Sequence, residues 1–241
     1  MARAFAGIIF DFNGVLWWDG HLQEQAWHDF SAAFRGAPLT PPEMAEHVHG
    51  RPNRHTLSSL AGDPLPASEV ARLSEEKEAI YRRLCLAQGD GFRLSPGAIP
   101  LLERLATAGI PRTIATASGR ANVDFFREHL NLDRWFDPAG IVYDDGTLPG
   151  KPAPDVYLRA AGTLGLVPGR CVVVEDSLSG IQAAYAAGIG CVVALGPAER
   201  HSALASLPGV DLVVESLAEL PVAEQGNSNS SRQVRDLPDL V

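Results

Sequence analysis

The feature that most restricts how this chain can fold is the alternation that begins at Ser95. From there, strand-length apolar runs and helix-length amphipathic runs follow one another in regular succession. Pro111–Ala117, Ile141–Tyr143, Cys171–Asp176, Cys191–Leu195 and Asp211–Val214 read as strands, and Gly97–Ala108, Ala121–Leu130, Asp155–Leu164 and Leu178–Ala187 read as helices. Strand and helix in strict alternation imply right-handed crossovers and a parallel sheet covered on both faces. A further strand lies near the start, where Ala6-Gly-Ile-Ile-Phe runs into Asp11, Asn13 and Gly14. The predicted fold class is therefore α/β, with a doubly wound parallel sheet.

Between the first strand and Ser95 the texture changes. Helical spacing with few β-branched residues marks four segments, His21–Phe34, Pro42–Val48, Asn53–Leu60 and Ala67–Ala87. They read as an all-helical insertion of about seventy residues. The expected organisation is an α/β core from residues 1–16 and 93–223, a helical cap domain over 17–92, and a polar tail over 224–241 expected to be disordered. The terminal Asp236-Leu-Pro-Asp-Leu-Val reads as an unstructured end in preference to a docking peptide.

Composition limits the function classes. A chain of 241 residues, 46% hydrophobic, can bury a full core, and a formal charge of −9 with 20 basic residues argues against broad binding to nucleic acid or anionic membrane. An acidic protein that handles phosphate needs a cation. Three cysteines at unrelated spacings, Cys85, Cys171 and Cys191, read as small core residues in a reducing compartment. The first residues lead directly into a strand without a cleavable apolar segment, and a cytoplasmic protein, monomeric or weakly homodimeric, is the expectation.

Polar groups recur at the ends of the strands, where open α/β sheets bind ligands. They are Asp11 with Asn13, Thr116 with Ser118, Lys151 in its Gly-Pro loop, and Glu175 with Asp176. Each alone has an ordinary reading as a helix cap or a solvated loop charge. Together they suit phosphoryl transfer. Clustered carboxylates repel unless a hard divalent ion such as Mg²⁺ joins them to phosphate oxygens. Asp11 would be both cation ligand and nucleophile, giving an aspartyl-phosphate. Thr116 and nearby backbone N–H groups would hold the transferring oxygens, and Lys151 would supply a point charge. The chain has two lysines against eighteen arginines, so a lone lysine between Gly150 and Pro152 points to a specific use. Lys77, among Glu75, Glu76 and Glu78, reads as part of a solvated helix face.

The segments Asp11-Phe-Asn13-Gly-Val-Leu, Thr116-Ala-Ser, Gly150-Lys-Pro-Ala-Pro-Asp and Val174-Glu-Asp-Ser-Leu-Ser-Gly-Ile-Gln-Ala-Ala resemble the four motifs of the haloacid dehalogenase superfamily. The helical insertion matches the cap position of its subfamily I. The nearest resemblance is to β-phosphoglucomutase-like and phosphoglycolate-phosphatase-like hydrolases. It implies Asp11 as nucleophile, Thr116 as phosphate-binding hydroxyl and Lys151 as stabilising charge. Asp11, Glu175, Asp176 and the backbone carbonyl of Asn13 are implied as Mg²⁺ ligands. Gly14, Ala117 and Ser118 fall at phosphate-binding positions of the same motifs. In the cap, Arg51, Asn53 and Arg54 occupy the resemblance's substrate-specificity loop, and Gln23 stands where mutase-like relatives carry a His.

One departure matters. Family phosphatases and mutases carry, two residues after the nucleophile, an Asp that protonates the leaving oxygen. Here that residue is Asn13, which hydrogen-bonds but does not exchange a proton near neutral pH. General acid–base catalysis is worth about 10²–10⁴ in rate, so alkyl phosphates are expected to be poor substrates unless His21, Glu24, His47 or His49 substitutes. Three functions remain open: a Mg²⁺-dependent phosphohydrolase on a small phosphorylated metabolite, a phosphosugar mutase, and a catalytically weak phosphate-binding or regulatory protein.

Overall fold

The computed structural model describes residues 5–48 and 52–221. His49, Arg51 and the tail over 224–241 lie outside the described residues. The chain divides into two compact units, one running to Trp18 and resuming at Leu94, the other spanning Asp19–Arg93.

The first unit is built on a six-stranded sheet: β1 (Gly7–Phe10), β2 (Arg112–Gly119), β3 (Val142–Asp144), β4 (Cys171–Glu175), β5 (Cys191–Leu195) and β6 (Leu212–Val214). Their spatial order is β3-β2-β1-β4-β5-β6, and every pairing is parallel. The strands β1, β4 and β5 are buried along their whole length, as a sheet covered on both faces requires. Their Val and Ile content gives the stiff, branched side chains that pack on a pleated surface. After β3 the chain returns to the other side of β1, so the direction of winding reverses between β1 and β4. That reversal opens a crevice at the carboxyl ends of these strands, the place where such sheets take ligands.

Helices α5 (Ala98–Thr107), α6 (Arg120–Leu130), α7 (Asp155–Thr163), α8 (Leu178–Ala186) and α9 (His201–Ala205) belong to this unit. One apolar cluster joins Ile9, Ala115 and Val173 of the strands to Tyr157, Ala160 and Ile181 of the helices. The short α9 was not legible in the sequence, because five residues give no period to read. Trp17 stays with this unit: its amide donates to Phe12 O at 3.0 Å, and its carbonyl accepts from Gly14 N at 2.7 Å.

The second unit consists of α1 (Gly20–Arg35), α2 (Pro41–His47), α3 (Asn53–Ala61) and α4 (Ala67–Ala87). Trp27, Phe30, Leu39, Met44, Leu57 and Leu73 form its core. Thr40 and Glu43 close α2 with a reciprocal capping box, satisfying two orphan amides at once. Lys77 corrects the sequence reading. It is 2% exposed, with its Nζ donating to Gln23 Oε1 at 2.5 Å and to Glu78 Oε1 at 3.0 Å. The acidic neighbours in sequence suggested a solvated face, but α4 turns position 77 toward α1, and the rings of Trp27 on α1 and Tyr81 on α4 lie 5.2 and 5.4 Å from the ammonium. Among the described residues no helix is long and apolar enough to cross a membrane.

Candidate active site

The site assembles at the ends of β1, β2 and β4. In-register pairing of β1 with β4 continues past Phe10, since Asp11 N donates to Val174 O at 3.0 Å, and this places Asp11 beside Glu175. Lys151 arrives from the loop before α7. Its ammonium donates to Asp11 Oδ1 at 2.6 Å and to Glu175 Oε1 at 2.5 Å, and reaches Ala115 O at 3.5 Å. Burial opposes the charge on Lys151, but the Asp11 and Glu175 carboxylates outweigh it and hold the ammonium well above its ordinary range. Burial likewise works to protonate Glu175, and Lys151 with the hydrogen bonds from Ser177 and Tyr157 keeps it ionised below the usual carboxylate value.

Asp11, Glu175 and Asp176 each offer a carboxylate oxygen, and these atoms lie within 4.8 Å of one another. Three carboxylates against one ammonium leave a net charge of about −2 in a mostly buried place, a strong demand for a cation. The donor set is all oxygen, which suits a hard ion such as Mg²⁺. Gly14 makes room here: it sits at φ +80°, and a Cβ on it would lie 2.2 Å from Asp176 Oδ2. No L side chain fits that position.

Thr116 is buried in the second half of β2, and its Oγ1 accepts from Ser118 N at 3.1 Å. Ser118 Oγ donates to Asn13 Oδ1 at 2.8 Å, so motifs 105 residues apart in the chain meet side by side. That bond turns the carboxamide oxygen of Asn13 toward Ser118. Ala117, between them, is exposed. Asp11, Asn13, Gly14, Thr116, Ser118, Lys151, Glu175 and Asp176 thus belong to one unit.

Gln23, Asn53 and Arg54 belong to the helical unit. Gln23 Nε2 donates to Asp19 Oδ2 at 3.1 Å, and Asn53 Nδ2 donates to Glu78 Oε1 at 3.1 Å. With Tyr81 OH donating to Asp19 Oδ2 at 2.6 Å, these residues form a continuous polar chain through Lys77. Arg54 is exposed in the first turn of α3. Among the candidates for a substitute acid, His21 and Glu24 are exposed on α1, and His47 is half-buried.

Two residues escaped the sequence reading. Tyr157 on α7 is fully buried, and its OH donates to Glu175 Oε1 at 2.9 Å. In the sequence it is one apolar position on an amphipathic helix, indistinguishable from core. Ser177 caps α8, accepting from Gly180 N at 3.1 Å while its Oγ donates to Glu175 Oε2 at 3.0 Å. The cap signal was visible, but the second bond depends on the turn.

Residues 5–188 match the family model described as haloacid dehalogenase-like hydrolase. Hexitol phosphatase A of Escherichia coli is 33% identical over 227 residues, covering 92% of this chain and 96% of that protein. A β-phosphoglucomutase of Mycobacterium bovis is 31% identical over 239 residues, covering 88% and 90%. The crystal structure of a HAD hydrolase of family IA, variant 3, from Entamoeba histolytica superposes with a TM-score of 0.83 at 34% identity, covering 88% of this chain and 94% of that one.

Proposed function

Because this chain belongs to the haloacid dehalogenase-like hydrolase family, we propose that it is a Mg²⁺-dependent phosphohydrolase of a small phosphorylated metabolite, acting through an aspartyl-phosphate on Asp11. The observation that carries this reading is the clamp of Lys151 on Asp11 inside an acidic cluster. The names of the relatives direct the search toward phosphorylated sugars and sugar alcohols.

The acidic group at 11, 175 and 176 would hold the ion, with the main-chain carbonyl of residue 13 that the family resemblance adds. When bound, it supplies positive charge to phosphate oxygens and offsets the repulsion among the carboxylates. With Lys151 on Oδ1 of Asp11, Oδ2 of the same carboxylate would make the attack on phosphorus. As the P–O bond to the leaving group breaks, the new bond joins phosphorus to Asp11, and the Thr116 hydroxyl with the amides following it receives the phosphoryl oxygens. Asn13 offers a hydrogen bond to the leaving oxygen but no proton. Leaving groups that are stable anions, such as the carboxylate of an acyl phosphate, therefore depart readily. Alkoxides do not. The same absence slows attack of water on the aspartyl-phosphate, because no carboxylate at 13 accepts its proton.

A panel of metabolite phosphates assayed with Mg²⁺ for released phosphate, beside a test for acid-stable, base-labile phosphoprotein, checks this reading. Turnover or phosphoprotein that disappears in Asp11→Asn supports it; neither, on any ester or acyl phosphate, overturns it. Asn13 favours a second reading, a phosphate-binding or regulatory protein that stalls at the phosphoenzyme, which gives phosphoprotein without sustained release. A mutase is disfavoured because Asn13 and Gln23 supply no proton transfer in either direction. The partners proposed are the small substrate alone, without nucleic acid or membrane, for a cytoplasmic monomer or weak homodimer.

A further inference from the structure

The main chain around Asn13 is pinned. Phe12 O accepts from Leu16 N at 2.9 Å and from Trp17 N at 3.0 Å, Gly14 N donates to Trp17 O at 2.7 Å, and Asn13 pairs with Trp17 as an isolated bridge. Where the chain returns at Ser95, its Oγ donates to Val15 O at 2.6 Å and its N to Leu16 O at 2.8 Å, which ties the turn to a segment 80 positions away. With the backbone fixed, the freedom that remains to Asn13 is rotation of its side chain. The two ends of the carboxamide differ in kind: Oδ1 only accepts and Nδ2 only donates. Which of them meets a leaving oxygen decides whether that oxygen is attracted or repelled as it gains negative charge.

Ser118 makes that choice. It lies half-buried on β2, where its N donates to Thr116 Oγ1 at 3.1 Å and its Oγ donates to Asn13 Oδ1 at 2.8 Å. A hydroxyl has one proton, so the Ser118 side chain that donates to Asn13 has no second proton for a phosphoryl oxygen. The sequence resemblance put Ser118 among the phosphate-binding positions, but the structure turns its hydroxyl to the amide at residue 13.

We infer that Ser118 is a positioning residue that sets substrate specificity: by holding Oδ1 it turns Nδ2 of Asn13 to the leaving oxygen, which makes residue 13 a fixed neutral donor and selects acyl phosphates. This rests on the phosphohydrolase reading for its consequence in catalysis and not for the orientation of the amide. In the step concerned, Asp11 bonds to phosphorus, the bond from phosphorus to the substrate's carboxylate oxygen breaks, and its electron pair leaves on that oxygen. No proton moves, and a hydrogen bond from Nδ2 to the departing charge is enough.

The first test needs no substrate. In protein labelled with ¹³C and ¹⁵N at asparagine, Ser118→Ala moves the ¹³Cγ resonance of Asn13 upfield, because its carbonyl loses a donor. A ¹³Cγ that stays in place, whether or not ¹⁵Nδ2 moves, overturns the inference.

The second test follows phosphoenzyme formation with Mg²⁺ by rapid quench, over a series of substituted benzoyl and phenyl phosphates whose leaving groups differ in basicity. A donor at the leaving oxygen flattens the dependence of rate on that basicity. Asn13→Ala and Ser118→Ala therefore both steepen it, and the double variant is no steeper than Asn13→Ala alone. On benzoyl phosphate the rate falls about tenfold in Asn13→Ala and about three- to tenfold in Ser118→Ala. Partial unfolding or weaker phosphate binding lowers every substrate by one factor or raises KM, and keeps the slope of wild type. A wild-type slope in Ser118→Ala overturns the role of Ser118. Should wild type form no phosphoenzyme from any of these phosphates, the phosphohydrolase reading fails while the carbon resonance still decides which way the amide faces.

Discussion

Restoring a carboxyl group at residue 13 is the perturbation with the most to say about this site. Asn13→Asp is nearly isosteric, and the bond from Ser118 Oγ to Oδ1 at 2.8 Å survives it. The new group enters a neighbourhood where Asp11, Glu175 and Asp176 face one ammonium. Residues 11 and 13 are at most about 7 Å apart between Cα atoms. Each uncompensated charge at ~7 Å and an effective dielectric of ~20 costs about 2.4 kcal/mol. The new carboxyl is therefore held above the ordinary range of an aspartate by its acidic neighbours, so that more of it stays protonated at neutral pH than of an aspartate in water. Partial protonation places the gain toward the lower end of general acid catalysis, about 10²-fold, or about 2.7 kcal/mol in the barrier. The assay is steady-state turnover of p-nitrophenyl phosphate and of a sugar phosphate with Mg²⁺, from pH 5 to 8. The gain is expected to grow as pH falls, and to shrink for an acyl phosphate, whose leaving group needs no proton. Rates for wild type and Asn13→Asp within threefold of each other on alkyl esters would refute the reasoning and place the acid elsewhere. Asn13 precedes Gly14, a pair prone to deamidation, so peptide mass must show that wild-type stock retains the amide; the bond from Gly14 N to Trp17 O at 2.7 Å disfavours that reaction in the folded chain.

Three more outcomes are expected. Gly180→Ala puts a methyl against Glu175, 1.6 Å from Oε1 before relaxation, so urea unfolding should show a loss of about 1–3 kcal/mol and phosphate release should fall with it; unchanged stability would mean that the carboxylate moves freely. Lys77→Ala removes the ammonium from beside Glu78 and opens space beside Trp27, at an expected cost of about 2–3 kcal/mol, less than for a fully buried pair because Glu78 keeps 19% exposure; calorimetry showing no loss would restore the solvated reading. All three cysteines are buried, and burial raises the thiol of Cys171 to about 11 and, with Asp211 adding to the effect, that of Cys191 to about 12. Because these folded values lie above the unfolded 9.0, the stability they contribute is complete below pH 9 and is lost as pH rises toward 11 to 12. Native protein at pH 8 should therefore resist a thiol reagent that titrates three groups in urea, and the Cys171→Ala, Cys191→Ala double variant should lose stability less steeply above pH 9.

Several parts of the fold were legible because each is a local pattern. Strand-length apolar runs identified all six strands of the sheet, and amphipathic spacing located α1 to α8 within a few residues. The polar residues that close those strands were visible for the same reason, since the apolar run stops at Asp11, Thr116 and Glu175. Lys77 was misread because charge in sequence and exposure in space differ: a helix carries position 77 inward while Glu75 and Glu76 stay out. Tyr157 was missed because a buried tyrosine is the same letter whether its hydroxyl meets a carboxylate or nothing.

The sequence by itself determined the alternation, the parallel sheet, the four motifs and the substitution at residue 13. Those follow from periodicity and residue chemistry, which act over a few neighbours. Only the tertiary structure decided that Lys151 spans Asp11 and Glu175, that Ser118 holds Asn13, and that the lone pairs of Glu175 are filled by Tyr157, Ser177 and two backbone amides. These contacts join segments as much as 140 positions apart, and their existence depends on ångström-scale distances that the parallel register and the packing of α7 and α8 create.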